Sequence, residues 1–284
     1  MKALVIGASG MLGNAMMRVL SEGAGWEVHG TLRSPAVRRW FASDIAARLH
    51  DGIDVDDQDA LVEIFGRLRP QLVVNCVGHV KQVENAEQPL HAIPINALLP
   101  HRLAKLCELA QARLIHISTD CVFTGSRGQY RESDFPDALD LYGRTKLLGE
   151  VDAPYALTLR TSIIGHELQS AHGLIEWFLA QQGSCKGYTR AIFSGLPTVV
   201  LAGVIRDVVA PRTDLHGVYH LAAQPIAKYD LLRLVAQIYG KQIDIIPDDQ
   251  LQIDRSLDGS RFREATGYVA PDWPELIRIM HAYR

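Results

Sequence analysis

The sequence predicts an α/β fold in which βαβ units surround a buried parallel sheet. Apolar runs typical of strands alternate with helical patterns through the first 165 residues. A glycine-rich segment directly follows the first apolar run, where the first strand would turn into the first helix. After Gly165 the alternation gives way to shorter elements. We therefore expect a doubly wound sheet followed by a smaller region of different organisation.

The individual elements follow from the same patterns in chain order. Strands are predicted over 2–6, 26–32, 71–76, 113–118 and 156–164, and helices over 11–22, 57–67, 96–110 and 140–153. Asp56 or Asp57 is a suitable N-cap for the second helix, and Pro70 marks its end. Beyond Gly165 we expect helices over 173–180 and 199–210, a strand over 218–221, and two or three helices within 224–284.

Composition excludes several classes of protein. The 284 residues are 48% hydrophobic and 21% charged, with a formal net charge of −3, which gives no reason to expect nucleic-acid binding. No segment is long enough to span a membrane, and the N-terminus reads as a strand and not as a targeting segment. The four cysteines show no C-x-x-C spacing, which favours a reducing cytoplasm. No H-E-x-x-H spacing occurs, so we predict no metal site; His116 and His220 fall in predicted strands and are expected to be core groups.

The glycine-rich turn predicts a binding site for a dinucleotide. Its spacing is G-x-x-G-x-x-G, and it lies where a strand turns into a helix, so that the backbone can approach a pyrophosphate at the helix N-terminus. A glycine-rich turn without a ligand is the alternative. The residues assigned to the cofactor here are Gly7, Ser9, Gly10, Met11, Leu12 and Gly13.

Further cofactor contacts are predicted at the ends of later strands. About twenty residues after the glycine turn, where NAD-binding proteins carry an acid, this chain has Arg33, which can pair with a 2′-phosphate. NADPH is therefore preferred over NADH, although Arg33 could also be a solvated loop charge. Asp54 and Val55, at the end of an expected third strand, could contact the adenine, or Asp54 could be a turn residue beside the N-cap. Core packing is the alternative for the last assigned group, Cys76, Val77 and Gly78, which ends the next strand.

The segment from Thr119 to Lys146 carries residues suited to proton transfer at a carbonyl oxygen. Tyrosine alone is a poor acid or base near neutral pH. Lys146, four residues after Tyr142, would lie on the same helical face, and we expect it to lower the pKa of Tyr142. Thr119 ends the fifth strand and would aim its hydroxyl at the same carbonyl oxygen, although it could instead be a turn cap. We assign Thr119, Tyr142 and Lys146 to catalysis and the last two also to the cofactor.

These residues resemble those of a known family, the extended short-chain dehydrogenases/reductases, and most closely the dTDP-4-dehydrorhamnose reductase branch. The resemblance covers essentially the whole chain and includes Pro197-Thr198, which is similar to the family's G-x-P-T segment. The motifs that carry it are Gly7–Gly13, Ser118-Thr-Asp-Cys-Val-Phe-Thr-Gly125, Tyr142-Gly-Arg-Thr-Lys-Leu-Leu-Gly-Glu150 and Leu159-Arg-Thr161.

The resemblance implies a Rossmann-type domain with a small C-terminal substrate-binding domain. We divide the chain accordingly into 1–165 plus 196–223 for the cofactor and 166–195 plus 224–284 for the substrate. The implied reaction transfers a hydride from NADPH to C4 of a nucleotide-linked 4-keto-6-deoxysugar, with Tyr142 protonating the new alkoxide, in the synthesis of surface polysaccharides. Thr119, Asp120 and Tyr142 would contact this substrate. Family members often form homodimers, which is therefore a further expectation.

The C-terminal region supplies a candidate for the substrate diphosphate. Arg255 lies in the run Asp254-Arg-Ser-Leu-Asp258, and a diphosphate needs cationic donors. Surface salt bridges with neighbouring acids are the alternative reading of this arginine.

Departures from the family pattern leave two alternatives open. Dehydratases of the family carry an acid directly after the Thr-Asp pair, but this chain has Cys121, so we exclude dehydration. GDP-fucose synthase resembles this chain in having a cysteine there and a histidine where His166 stands, so Cys121 and His166 could act as an acid/base pair for epimerisation. A non-catalytic subunit is the other alternative, because the methionine adenosyltransferase regulatory subunit resembles the same branch. The loop from Gly78 to Lys81 also departs from the family's alanine-rich loop, which puts the sugar contacts there in doubt.

Overall fold

A seven-stranded parallel sheet forms the centre of the protein. The computed structural model describes residues 1–80, 87–169 and 171–284. Strand order across the sheet is β11-β6-β5-β4-β1-β2-β3, and every neighbouring pair is parallel. The strands are β1 (Lys2–Ile6), β2 (Glu27–Thr31), β3 (Leu49–His50), β4 (Leu72–Asn75), β5 (Arg113–Ser118), β6 (Ala156–Arg160) and β11 (Gly217–His220). The fold class predicted from the sequence is confirmed.

Helices cover both faces of this sheet, as expected for a doubly wound fold. One apolar core contains residues of α1 and α8, and the other contains residues of α3 and α5. The helices are α1 (Met11–Ser21), α2 (Ser43–Ala46), α3 (Gln58–Leu68), α4 (Pro89–Ala92), α5 (Leu99–Ala110), α6 (Leu141–Leu148), α7 (Leu174–Ala180), α8 (Thr198–Val204), α9 (Lys228–Tyr239), α10 (Ser260–Thr266) and α11 (Trp273–Ala282). Among the described residues, none of these helices is long and apolar enough to cross a membrane.

Shorter strands occur mainly in the second part of the chain. β7 (Ile163–Ile164) pairs with β10 (Leu196–Pro197), and β8 (Ser184–Tyr188) pairs with β13 (Asp244–Asp248). A third group places β9 (Ala191–Phe193) between β12 (Ile226–Ala227) and β14 (Ile253–Asp254). These small sheets carry residues from beyond Gly165 towards the carboxyl ends of the central strands.

Three predicted elements differ from the structure for identifiable reasons. The helix predicted over 140–153 ends at Leu148, where the next residue, Gly149, is the C-cap residue and a poor helix former. The strand predicted over 156–164 is divided, since the chain leaves the sheet after Arg160 and then pairs with β10. The helix predicted over 96–110 is preceded by helical turns over 89–98, of which 93–98 form a π-helix.

The strand order sets the place of the site. β1 has β2 on one side and β4 on the other, so the chain reverses its direction of progress across the sheet between β1 and β4. In open α/β sheets the crevice at such a point, beyond the carboxyl ends of the strands, is where ligands bind. The glycine turn follows β1 at this edge.

Candidate active site

A cavity of about 490 Å³ opens beyond the carboxyl ends of β1, β4 and β5. One wall is formed by residues after these strands and by α6, and the other by residues from the second part of the chain. The site residues predicted from the sequence that line it are Gly10, Met11, Leu12, Cys76, Val77, Gly78, Thr119, Asp120, Tyr142, Lys146 and Arg255.

The glycine turn is shaped by two close approaches. Gly7 has a φ of +82°, which favours glycine, and its N–H donates to Oγ1 of Thr31 at 3.0 Å. A Cβ at Gly13 would lie 2.0 Å from the carbonyl oxygen of Gly7, so only glycine fits there. These two residues therefore shape the turn from beneath, and neither lines the cavity.

The N-terminus of α1 fits the diphosphate of a dinucleotide. Gly10 is the N-cap residue and provides no side-chain cap, and the first turn of α1 contains no acidic residue. The nearest atom to a Cβ at Gly10 would be 3.6 Å away, so the backbone there is open to the cavity. Uncapped N–H groups and the helix dipole attract an anion at such a position.

Four residues predicted to bind the cofactor lie outside the cavity for other reasons. Ser9 is exposed beside the turn, and Arg33 is exposed just after β2. Asp54 caps a turn, because its Oδ1 accepts the N–H of Asp56 at 3.0 Å, and Val55 packs against the core between the sheet and α3. The strand expected to end at Asp54 ends instead at His50. The geometry thus supports the turn reading of Asp54.

Tyr142 and Lys146 are presented by α6. Oδ1 of Asp140 accepts the N–H of Gly143 at 2.8 Å and so caps this helix. A Cβ at Gly143 would lie 2.2 Å from the carbonyl oxygen of Cys121, so this glycine lets α6 approach the turn that follows β5. The close packing places Tyr142 against the residues of that turn.

Thr119 lines the cavity and also caps the turn after β5. Its Oγ1 accepts the N–H of Cys121 at 3.1 Å and donates to Oδ1 of Asp120 at 3.2 Å. Thr119 also hydrogen-bonds Tyr142. The two readings of Thr119 from the sequence are therefore compatible.

The electrostatics of Tyr142 differ from the expectation. Burial raises the pKa of Tyr142, and the nearby groups Cys121 and Asp120 add to this, while the hydrogen bond with Thr119 lowers it. Burial also lowers the pKa of Lys146 to about 8, against which Glu150 acts in the opposite direction. Burial of the phenol thus sets the direction of the shift, opposite to the lowering expected from Lys146.

Arg255 reaches the cavity from the C-terminal region. Its Nε donates to the carbonyl oxygen of Phe123 at 2.8 Å, so the side chain is held without an acidic partner among the described residues. The alternative of a surface salt bridge for Arg255 is not what the structure shows.

Cys121 and His166 are not brought together. Cys121 lines the cavity, whereas His166 does not. Both ring nitrogens of His166 are occupied, Nδ1 by Glu176 at 2.5 Å and Nε2 by the hydroxyl of Tyr239 at 2.8 Å. The predicted acid/base pair for epimerisation therefore has no geometric support.

Three titratable residues of the cavity were missed by the sequence analysis: Glu167, His172 and Lys228. Only Lys228 carried a local signal. It is the first residue of α9, a position at which a cation is unfavourable to the helix dipole and is therefore noticeable in the sequence. Glu167 and His172 reach the cavity through tertiary structure alone. Lys81, in the loop expected to contact the sugar, lies outside the described residues.

Comparisons with known proteins agree with this geometry. The family described as the RmlD substrate binding domain matches residues 1–252. A dTDP-4-dehydrorhamnose reductase of Mycolicibacterium smegmatis is 31% identical over 84% of this chain and 69% of its own. Methionine adenosyltransferase 2 subunit beta of Xenopus laevis is 32% identical, over 52% of this chain and 41% of its own. The structure of a Bacillus anthracis dTDP-4-dehydrorhamnose reductase in complex with NADP has a TM-score of 0.81 at 18% identity, covering 100% of this chain and 99% of that one.

The fold, the glycine turn and the Thr119, Tyr142 and Lys146 set define a dinucleotide-binding enzyme of the short-chain dehydrogenase/reductase class. Within that class, the chain belongs to the RmlD substrate-binding family. The resemblance and enzyme class predicted from the sequence, an NAD(P)-dependent reductase like dTDP-4-dehydrorhamnose reductase, are confirmed.

Proposed function

We propose that this protein uses NADPH to reduce the 4-keto group of a nucleotide-activated 6-deoxyhexulose for the synthesis of surface polysaccharides. One observation carries the proposal: a single cavity contains the proton-donating set, the uncapped start of α1, and a cation from the C-terminal region. The names of the relatives support the same class of substrate. Because the M. smegmatis relative is named for a dTDP-linked sugar, dTDP is the first nucleotide to test.

The cofactor would supply the hydride, and the chain's own residues would manage the proton. Tyr142 is the donor in this proposal, because burial keeps its phenol protonated and therefore ready to give a proton to an alkoxide. Thr119 would share the polarisation of the carbonyl oxygen through its hydroxyl group. Lys146, anchored by a hydrogen bond from Nζ to the carbonyl oxygen of Ile117 at 2.7 Å, would orient the cofactor ribose.

The cofactor would lie across the carboxyl ends of β1 and β4. Met11 and Leu12 would offer backbone N–H groups to the pyrophosphate, and Gly78 leaves space in the cavity wall. Arg33 remains the proposed partner of the 2′-phosphate, because it is exposed after β2 and none of the described residues forms an ion pair with it. NADH is the alternative if Arg33 does not contact the cofactor.

The substrate would enter from the side of the second region. Arg255 is the proposed donor to the diphosphate, and Lys228 adds a second cation to the same cavity. Asp120 lines the same cavity and is the proposed contact for the sugar. This arrangement supports the division into 1–165 plus 196–223 for the cofactor and 166–195 plus 224–284 for the substrate. We also propose a cytoplasmic location, since the four cysteines, all within the described part of the chain, form no disulfide bond.

The geometry of the site also bears on the two alternative functions predicted from the sequence. Epimerisation before reduction loses support because His166 is bound on both ring nitrogens. A non-catalytic subunit is favoured only by the partial match to methionine adenosyltransferase 2 subunit beta. The complete set of Thr119, Tyr142 and Lys146 in one cavity argues for an enzyme.

The test is a reductase assay with purified protein, NADPH or NADH, and dTDP-, UDP- and GDP-linked 4-keto-6-deoxysugars. We expect oxidation of NADPH with one nucleotide series and a product reduced at C4 without inversion at C3 or C5. Inversion at those carbons, seen by NMR, would support the epimerase alternative. Cofactor binding without turnover of any sugar, together with a stable co-purifying protein, would contradict the proposal and favour the regulatory subunit.

A further inference from the structure

Arg255 is held by residues 123–130, called the 123–130 loop below. No residue of this loop lines the cavity. The carbonyl oxygen of Phe123 accepts from Nε of Arg255, and the carbonyl oxygen of Gly125 accepts the N–H of Asp254 at 2.8 Å. The loop therefore fixes both the backbone before Arg255 and the inner end of its guanidinium group.

Gly125 determines how closely the loop approaches Arg255. It has a φ of +86°, and a Cβ there would lie 2.8 Å from Cγ of Arg255 and 2.6 Å from Cγ1 of Ile253. The aliphatic part of the arginine thus runs directly over the glycine. The backbone N–H groups of this turn face inward, so they need a hydrogen-bond acceptor inside the turn.

Tyr130 provides that support from inside the loop. Its hydroxyl oxygen accepts the N–H of Gly125 and the N–H of Arg127, both at 3.2 Å. Its ring is stacked on Phe123, with centroids 4.2 Å apart and planes 10° apart, and only 4% of the residue is exposed. One buried side chain thereby contacts both residues of the loop that hold Arg255.

The main chain of Tyr130 also joins the loop to the C-terminal segment. Its N–H donates to the carbonyl oxygen of Ser256 at 2.9 Å, and its carbonyl oxygen accepts the N–H of Asp258 at 2.7 Å. The 123–130 loop is therefore hydrogen-bonded to the C-terminal segment on both sides of Arg255. Asp254 is bonded before it, and Ser256 and Asp258 are bonded after it. Burial would raise the pKa of Tyr130, but hydrogen bonds from Ser126, the backbone of Arg127 and Thr124 lower it.

We propose that Tyr130 is a positioning residue that sets the direction of the Arg255 guanidinium group towards a nucleoside diphosphate in the cavity. It does not touch the reacting atoms. The inference rests on the proposed function, in which Arg255 binds the substrate diphosphate. Loss of the Tyr130 hydroxyl would release the N–H groups of Gly125 and Arg127, so the turn would relax and Arg255 would lose its fixed direction.

The experiment compares binding of dTDP, UDP and GDP by calorimetry with steady-state kinetics. Tyr130→Phe keeps the stacked ring and removes only the hydroxyl group. We expect its nucleoside diphosphate Kd and sugar-nucleotide KM to rise about tenfold, the loss of one good hydrogen bond in the bound state, with kcat and the NADPH Kd near the wild-type values. Tyr283→Phe is the matched control, because that hydroxyl bonds Glu22 away from the cavity, and it should change none of these values.

A double-mutant cycle separates positioning from general stability. If Tyr130 acts through Arg255, Tyr130→Phe should add little to the loss already caused by Arg255→Ala. Additive losses, or an unchanged KM in Tyr130→Phe, would overturn the inference. If Tyr130→Phe does not fold at the assay temperature, the same measurements on both variants and the wild type are made at a lower temperature at which it folds.

The outcomes also distinguish this inference from the proposed function. If the wild-type protein binds none of the three nucleotides and Arg255→Ala behaves identically, the proposed substrate class is wrong. If Arg255→Ala weakens nucleotide binding while Tyr130→Phe does not, the proposed function stands and only the role of Tyr130 is wrong.

Discussion

Nζ of Lys146 donates a hydrogen bond to the carbonyl oxygen of Ile117 at 2.7 Å. The bond joins the last turn of α6 to the carboxyl end of β5, and Lys146 is only 3% exposed. An amino group so deeply buried loses most of the solvation of its charged form. The hydrogen bond orients the residue, whereas its burial makes the proton easier to remove.

We predict that Lys146 makes stability depend on pH in the alkaline range. Burial lowers the pKa of Lys146 from 10.5 to about 8, so between these values the unfolded chain holds a proton that the folded chain does not. The free energy of unfolding contributed by this residue therefore rises with pH across that window, by up to about 3 kcal/mol. Urea unfolding of the wild type and Lys146→Met at pH 7.5 to 10.5 measures the difference. The advantage of Lys146→Met should shrink as pH rises, and a constant difference would contradict the assignment.

Tyr142→Phe should abolish most of the turnover while leaving binding intact. Loss of a proton donor costs about 10² to 10⁴ in rate, and the phenyl ring preserves the packing of Tyr142 against the turn after β5. We expect that loss in kcat, with an NADPH Kd within about twofold of wild type, since only one hydroxyl group is removed. Tyr155→Phe, outside the cavity, is the control and should keep full activity. A decrease of less than about tenfold in Tyr142→Phe would remove Tyr142 from the proton-donor role.

Much of the fold could be predicted because the residue patterns that indicate its strands lie within short stretches of sequence. The strands β1, β2, β4, β5 and β11 fall within about two residues of their predicted bounds, since buried parallel strands are continuous apolar runs. The end of α6 was predicted too late, because the helical pattern was extended past Gly149 despite the low helix propensity of glycine. The π-helix over 93–98 was missed, because Pro94 indicates the start of a helix but not the type of helix.

In the candidate site, too, the features set by local sequence could be predicted and those set by tertiary structure could not. Tyr142 and Lys146 are spaced on one helix, so their common face is written in the sequence. The direction of the Tyr142 pKa shift could not be predicted from the sequence, because burial by the surrounding fold decides it. His166 has Glu176 and Tyr239 as partners, which come from α7 and α9, and no local pattern indicates that both ring nitrogens are occupied.

Gly13→Ala should destabilise the protein and weaken cofactor binding together. The new Cβ would lie 2.0 Å from the carbonyl oxygen of Gly7, so the turn before α1 must move. We expect a loss of about 1–3 kcal/mol in the free energy of unfolding, typical of overpacking, and a clearly higher NADPH Kd. Gly66→Ala in α3 is the matched control, because nothing lies within 4 Å of its added Cβ. That variant should gain about 0.5–1 kcal/mol from helix propensity. Equal effects of the two substitutions on NADPH binding would argue against a role for the turn.

The buried ion pair of Glu150 and Arg160 should contribute more to stability than exposed pairs do. Nε and Nη2 of Arg160 donate to the two carboxylate oxygens of Glu150, each at 2.7 Å, and the side chains are 5% and 7% exposed. The hydroxyl of Ser118 also donates to Glu150 at 2.8 Å, so the carboxylate ties β5, β6 and the end of α6 together. Glu150→Gln would leave the guanidinium charge buried without its counter-charge, which typically costs about 3–5 kcal/mol.

Urea unfolding of Glu150→Gln, with Asp214→Asn as control, measures this contribution. The Arg212–Asp214 pair is bidentate too, but its side chains are 41% and 63% exposed, so its loss should cost less than about 1 kcal/mol. The double variant Glu150→Leu with Arg160→Met should be less destabilised than Glu150→Gln, because no buried charge then remains. If Glu150→Gln cost no more than Asp214→Asn, the pair would be held by the fold without stabilising it, and the junction of α6 with β6 would depend on apolar packing alone.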